Sequence, residues 1–357
     1  MIYLDYAAST PLHSILKNKL IGAFSETGNP QSDQMGQLHR IIEDSKINIC
    51  RYFNGDHKRL FFTSGATESI STAIIGAARF YQKSGQHIIT FASEHSATLK
   101  ACQSLEQEGF TVTVLPIQKD GRINYENLAL HIRSDTILIS VNGVCNETGL
   151  IQDLSPLVSL QKENGFMVHL DACQMIGKIK FSLVDFPFDF ISLSSHKCYG
   201  PQGIGALYIA KNRHLCPIIH GSKKIRSGTM SVALIDLMGQ AYHLAHKEFD
   251  QNIQWITEIR EEFLLGLENI EHTLLSDGVK SIVNIHFHKA CETSIAKIRE
   301  GIYCQISSAC SDGVSHVLKA RLSYDKAMHC IRFSFGIQTN SDDIKKALSI
   351  IYQSFKP

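Results

Sequence analysis

From about residue 60 to 210 the chain alternates short, continuously apolar runs with longer amphipathic stretches. The runs are Leu60–Phe62, His87–Phe91, Thr111–Leu115, Thr136–Ser140, Met167–Leu170, Phe190–Leu193 and Gly205–Ile209, with helical pieces such as Ala97–Glu108 and Leu154–Asn164 between them. Runs that stay apolar, rather than alternating with polar residues, predict strands buried on both faces. Strands separated by helices predict a mostly parallel sheet covered on both sides, an α/β fold. From about residue 233 the pattern changes. One long helical stretch, Ala233–Leu267, leads into strands at Ser281–His286 and Cys330–Ser334 and helices at Thr293–Gly301 and Ser341–Phe355. This predicts a second, smaller α+β domain. No repeat, low-complexity tract or Pro/Gly-rich linker marks the junction.

Composition narrows the picture. With 357 residues, 44% hydrophobic and 19% charged, the chain can build one large core and a smaller one. A net charge of +1 gives no electrostatic reason to expect nucleic acid or a membrane surface as partner. No stretch approaches the ~18 uninterrupted apolar residues of a spanning helix. Met1–Tyr6 lacks a basic segment followed by an apolar one, so a cytoplasmic protein is expected. The ten cysteines are scattered with no CxxC spacing. That predicts reduced, mostly buried thiols rather than a zinc site, other metal centre or disulfide framework.

Four strand ends carry candidate chemistry. Ser192–Gly205 runs from a strand through Ser194-Ser195-His196-Lys197 into a Gly/Pro-rich turn. Ligands of open α/β sheets sit beyond such ends. There Lys197 is either a Schiff-base lysine with a lowered pKa or a surface side chain. In His169–Gln174, Asp171 suits the protonated nitrogen of a pyridine ring, and Gln174 its phenolic oxygen. Asp171 alone reads equally as a helix N-cap. Thr63–Ser69, at a strand-to-helix turn, offers backbone N–H groups to a phosphate, or is simply a capped helix start. His95 either stacks on a ring or shuttles a proton, or it caps the next helix facing solvent.

Together these segments resemble the cysteine desulfurases of the class V aminotransferase group, within the fold-type I pyridoxal-phosphate enzymes. The likeness spans nearly the whole chain: Tyr3–Pro11, Gly28-Asn29-Pro30, Thr63–Glu68, Glu94-His95, Asn146–Gly149, Asp171–Gln174, Ser194–Lys197, Arg226–Thr229, Ser307–Cys310 and Arg332-Phe333-Ser334. It implies a seven-stranded, mostly parallel sheet and pyridoxal 5'-phosphate bound as a Schiff base on Lys197. It further implies His95 stacked on the ring, Asp171 at its nitrogen and Gln174 at its phenolic oxygen. Ala66, Thr67, Ser194 and His196 are then the phosphate binders, and Thr229 a phosphate contact reaching across a homodimer with shared active sites. Asn146 and Arg332 would hold the carboxylate of L-cysteine, since a guanidinium grips both oxygens. Cys310 would take the sulfur as a persulfide and pass it to an acceptor protein, leaving L-alanine. The expected division is 1–15 as an N-terminal segment joining the small domain, 16–235 as the large domain and 236–357 as the small one.

The chain also departs from that pattern. The stretch between Cys310 and Ser315 is shorter, and the glycine of the Ser-Ser-Gly-Ser-Ala-Cys motif is missing. Gly28–Gly36 lacks its usual histidine, Ile337 stands where a basic residue is usual, and Cys145 replaces an asparagine. A shorter tether restricts how far Cys310 travels, which bears on sulfur handover for iron–sulfur clusters, tRNA thiolation or DNA sulfur modification. Two other readings make different predictions. A selenocysteine lyase or small-molecule aminotransferase would not need Cys310. A silent homologue would have lost part of the set Lys197, Asp171, His95 and Gln174.

Overall fold

The computed structural model describes residues 1–25, 29, 32–33, 36–221, 225–275, 277–306 and 314–355. Its strands are β1 (Ile2–Tyr3), β2 (Leu60–Thr63), β3 (His87–Phe91), β4 (Thr111–Leu115), β5 (Thr136–Asn142), β6 (Met167–Asp171), β7 (Phe190–Ser194), β8 (Gly205–Ile209), β9 (His272–Leu274), β10 (Ile282–Phe287), β11 (Ile302–Tyr303), β12 (Gln305–Ile306) and β13 (Cys330–Ser334). Its helices are α1 (Ser14–Ser25), α2 (Gln37–Arg51), α3 (Ala66–Tyr81), α4 (Ser96–Glu106), α5 (Tyr125–His131), α6 (Ser155–Asn164), α7 (Val232–Lys247), α8 (Phe249–Leu265), α9 (Glu292–Gly301), α10 (His316–Lys319), α11 (Tyr324–Met328) and α12 (Ser341–Ser354).

Among the described residues the seven apolar runs form one seven-stranded sheet in the order β2-β8-β7-β6-β5-β3-β4. Strands β7, β6, β5, β3 and β4 pair in parallel, while β8 runs antiparallel to both β7 and β2. Alternate residues of each strand feed opposite layers, as the period of two requires. Ile88, Leu138, Met167, Phe190 and Leu207 pack with α3 and α4. Their neighbours Ile89, Ile139, Val168, Ile191 and Ala206 pack with residues of α2, α6 and α7. Both faces are covered, which is why the runs read as continuously apolar.

A second core gathers Ile259 and Phe263 of α8, Val283 and Ile285 of β10, Ile331 and Phe333 of β13, and Ile344 and Ile351 of α12. Its sheet has the antiparallel order β12-β13-β10-β9. The expected single helix Ala233–Leu267 is corrected here to two. The chain breaks at Glu248, with φ −101° and ψ 11°. The break lets the two halves serve different cores: α7 places Ile235, Met238, Tyr242 and Ala245 in the large one, and α8 enters the second. The expected 235/236 boundary therefore falls inside α7.

The first residues thread between these bodies. β1 pairs in parallel with β11, and Leu4 is buried in the second core. By Ala7 the chain has entered the large core, and the His13 N–H then donates to the Tyr199 carbonyl. Gly205 serves a different closure. A Cβ there would lie 2.6 Å from the Leu193 carbonyl oxygen and 2.7 Å from the Gly65 carbonyl carbon. Only glycine lets the turn between β2 and α3 close down on the strand ends.

Candidate active site

The chain leaves β2, β3, β5, β6 and β7 at one edge of the sheet, and the candidate residues stand at those exits. Lys197 lies three residues beyond β7. Its ammonium donates to the carbonyls of Ala7 and Ala8, each at 2.6 Å. It is not the surface side chain of the alternative reading. Burial, with the Arg332 cation adding to it and nearby Asp5 and Asp171 opposing, brings its pKa down to about 8. The chain turns immediately afterwards through Tyr199, whose φ of 58° is uncommon for a residue with a side chain. Thr10 Oγ1 accepts from the Tyr199 N–H at 2.7 Å, and the Tyr199 hydroxyl accepts from Ile337 N at 3.0 Å, so that conformation is held at both ends.

Asp171 ends β6 as a buried carboxylate, accepting the Cys173 N–H on Oδ1 at 3.0 Å. It caps a turn rather than a helix. Gln174 donates from Nε2 to the Ala7 carbonyl at 2.9 Å, so Lys197 and Gln174 converge on one acceptor. Gln174 Oε1 and the Ser194 and Ser195 hydroxyls are buried with no protein partner. Gln174 thus keeps a buried orphan oxygen next to a lysine with a lowered pKa, which fits a polar ligand that bonds there. His196 contacts Ser9 Oγ through Nδ1 at 3.2 Å, and burial brings its pKa to about 4, so its imidazole is neutral.

His95 takes the capping position of its second reading, with its side chain exposed. It is the N-cap of α4, with Nδ1 accepting the Ala97 N–H at 3.1 Å. That bond occupies Nδ1, so proton exchange at this ring goes through Nε2. The side chain remains accessible, yet surrounding protein desolvates it. This holds its pKa below the usual histidine value, opposed by Asp171 and reinforced by Lys197 and His316.

At the start of α3, Ala66 and Thr67 take the first two helical positions, and the N-cap is Gly65, with no side-chain cap bond. Glu68 Oε2 accepts the Ser64 N–H at 2.8 Å while Oε1 accepts from Arg226 Nε at 2.9 Å. Burial alone would raise the Glu68 pKa, but the Arg226 and Ser64 bonds outweigh it and hold it below the usual range. Thr229 lies three residues past Arg226 and lines a separate cavity with Lys46, Phe62 and Arg226, not the wall around Lys197.

Arg332, 3% exposed on β13, donates to the Asn146 carbonyl at 2.7 Å and to Asp5 Oδ1 at 2.6 Å, leaving Nε buried without a partner. Asn146 and Arg332 are thus brought together, with Asp5 beside them. Cys310 lies outside the described residues, as do Gly28, Pro30 and Ser307–Ala309. The cysteines at 50, 102, 145, 173, 198, 216, 291, 304 and 330 are free thiols.

Some contributors escaped sequence reasoning. Asp5, Ala7, Ala8, Ser9 and Thr10 lie in the Tyr3–Pro11 motif, but nothing in that motif says its carbonyls meet a lysine some 190 positions on. Lys178, brought down to about 8 by burial, donates to the Lys197 carbonyl at 3.3 Å. Among the described residues no His/Cys/Asp/Glu cluster fits a metal ion, and no helix is long and apolar enough to cross a membrane.

Comparison with known proteins agrees with this architecture. The aminotransferase class-V family model matches residues 2–347. The chain is 36% identical over 374 residues to the cysteine desulfurase IscS of Mannheimia succiniciproducens, covering 99% of this chain and 93% of that protein. It is also 36% identical to the cysteine desulfurase IscS of Neisseria meningitidis serogroup C, covering 98% and 91%. Among solved structures, a NifS-like protein superposes with a TM-score of 0.91 at 28% identity, covering 99% of this chain and 98% of the other. SspA in complex with cysteine follows at TM-score 0.86 and 30% identity, covering 94% and 99%. A chain matched over almost its full length by that family model, with such relatives and this fold, belongs to the class-V aminotransferase family.

Proposed function

We propose that the protein is a cysteine desulfurase, taking sulfur from L-cysteine, releasing L-alanine and passing the sulfur to an acceptor. The observation that carries this reading is Lys197. It is a lysine past a strand end whose pKa is brought to about 8, sharing the Ala7 carbonyl with Gln174, whose Oε1 is a buried orphan. The enzyme uses pyridoxal 5'-phosphate, as its family does. When bound, that cofactor supplies the electron sink that makes the substrate α-proton acidic. Lys197 would hold it covalently. Ala66, Thr67, Ser194 and His196 would hold its phosphate, Asp171 its ring nitrogen, Gln174 its phenolic oxygen and His95 its ring face.

The chain's own residues then divide the work. Arg332 and Asn146 hold the substrate carboxylate, with Asp5 keeping the guanidinium in place beforehand. Lys197, released as a free amine, takes the α-proton. The Cys310 thiolate attacks the substrate sulfur: an S–S bond forms, the C–S bond breaks, and the electron pair stays on carbon, where a proton completes alanine. The support for Cys310 is its place in the Ser307–Cys310 motif. A homodimer, in which Thr229 serves the other subunit's phosphate site, and a cytoplasmic location complete the proposal.

The test is direct. With L-cysteine and a reductant, the purified yellow protein releases sulfide and alanine in equal amounts. Lys197→Ala is expected to be colourless and inactive, and Cys310→Ala to keep its colour but lose sulfide release. Full sulfide release by Cys310→Ala would transfer the protein to the lyase reading.

A further inference from the structure

We propose that His316 is a positioning residue for the sulfur-transfer step, its imidazole N–H tying the chain six residues beyond Cys310 to the backbone corner that carries His95. The inference rests on the desulfurase reading. His316 Nε2 lies 2.8 Å from the Glu94 carbonyl, a contact between residues 222 apart in sequence. As the acceptor is a carbonyl, Nε2 carries the proton.

The acceptor belongs to a corner held from the sheet side. Glu94 is 1% exposed, and its Oε1 accepts the Asn142 N–H at 2.7 Å. The Asn142 side-chain amide donates to the Ser93 carbonyl at 2.8 Å. Asn142 also sits beside Asp171 in the β5–β6 register. The corner is therefore fixed from the strand that neighbours Asp171, and the next residue along is His95. His316 adds the one described bond reaching it from the other side.

The helix that presents His316 is itself seated. Ser315 caps α10, its hydroxyl accepting from Val317 N at 3.1 Å. Val317 is buried against Cys145 and Leu150. Thus α10 grips two walls of the site, a polar bond at the exit of β3 and an apolar contact at the exit of β5, where Asn146 follows Cys145. The replacement of asparagine by Cys145 acquires a reason: an apolar side chain there packs on Val317. Cys310 lies six residues before His316 in sequence, so the bond to Glu94 anchors the chain a short way past the thiol, next to His95.

The experiment uses the holoenzyme and two variants, His316→Phe, which keeps a ring but no donor, and His316→Gln, which places an amide N–H at similar reach. Single-turnover alanine formation from L-cysteine without reductant reads the transfer step. The spectral shift on titrating L-alanine reads occupancy of the substrate site. His316→Phe is expected to slow alanine formation at least tenfold with the L-alanine Kd within twofold of the parent, and His316→Gln to recover to within about threefold. His316→Phe reacting within twofold of the parent would overturn the inference. So would His316→Gln as slow as His316→Phe, or an L-alanine affinity falling by the same factor as the rate, which marks general damage. If the parent enzyme forms no alanine from cysteine, the desulfurase reading itself fails, a result separate from all of these.

Discussion

An amine attacks an aldehyde only as the free base, so in its proposed role Lys197 must shed its proton before it can hold the cofactor. Its surroundings arrange this by burial, with Arg332 beside it. The sign follows: below pH 8 the buried amine is protonated and unreactive, and above it the free base dominates. Cofactor-free protein mixed with pyridoxal phosphate should therefore gain its yellow colour at a rate that rises with pH and levels off above about 8, whereas an ordinary lysine would keep rising toward ~10.5. Stopped-flow absorbance at several pH values checks this. Asp171 permits a sharper substitution. Asp171→Asn keeps an oxygen for the Cys173 N–H, so the turn should survive while the charge is lost. Turnover should fall on the order of a hundredfold or more with cofactor retained. A variant as fast as the parent would deny Asp171 its role at the ring nitrogen.

At the scale of elements, the sheet edge works because strand exits can crowd together, and Gly205 is where the crowding is tightest. Gly205→Ala should cost about 1–3 kcal/mol, since backbone atoms of β7 and the β2–α3 turn must move apart. Urea unfolding of the cofactor-free protein reads this directly. Elements were also what the sequence disclosed best. The strands from Leu60 to Ile209, other than the partly exposed edge strand β4, announce themselves because they are buried on both faces, and Lys197 and Asp171 could be placed from the strand ends where they stand. The break at Glu248 was hidden because α7 and α8 are both apolar enough to read as one helix, and only their different cores separate them. The bonds from Lys197 to Ala7 and Ala8 were hidden for another reason: a contact to a carbonyl across such a separation leaves no trace in side-chain pattern. The placement of His95 at a helix start was legible, but not which nitrogen the cap would occupy.

Across the whole molecule, Asp5 and Arg332 join the first strand region to β13, 327 positions later in sequence. Arg332 is 3% exposed, and removing its carboxylate partner would leave a buried cation with only the Asn146 carbonyl as its described acceptor. Asp5→Asn should therefore destabilise the cofactor-free protein by about 1–3 kcal/mol, less than a fully buried pair would lose because Asp5 is partly open to solvent. Thermal melts compared with those of the parent test this. The same threading has a consequence in time. The ribosome makes Ala7 and Ala8 first, Lys197 190 residues after Ala7 and Arg332 another 135 residues later. No nascent chain can bring Ala7, Lys197 and the Asp5–Arg332 pair together before residue 332 has been made.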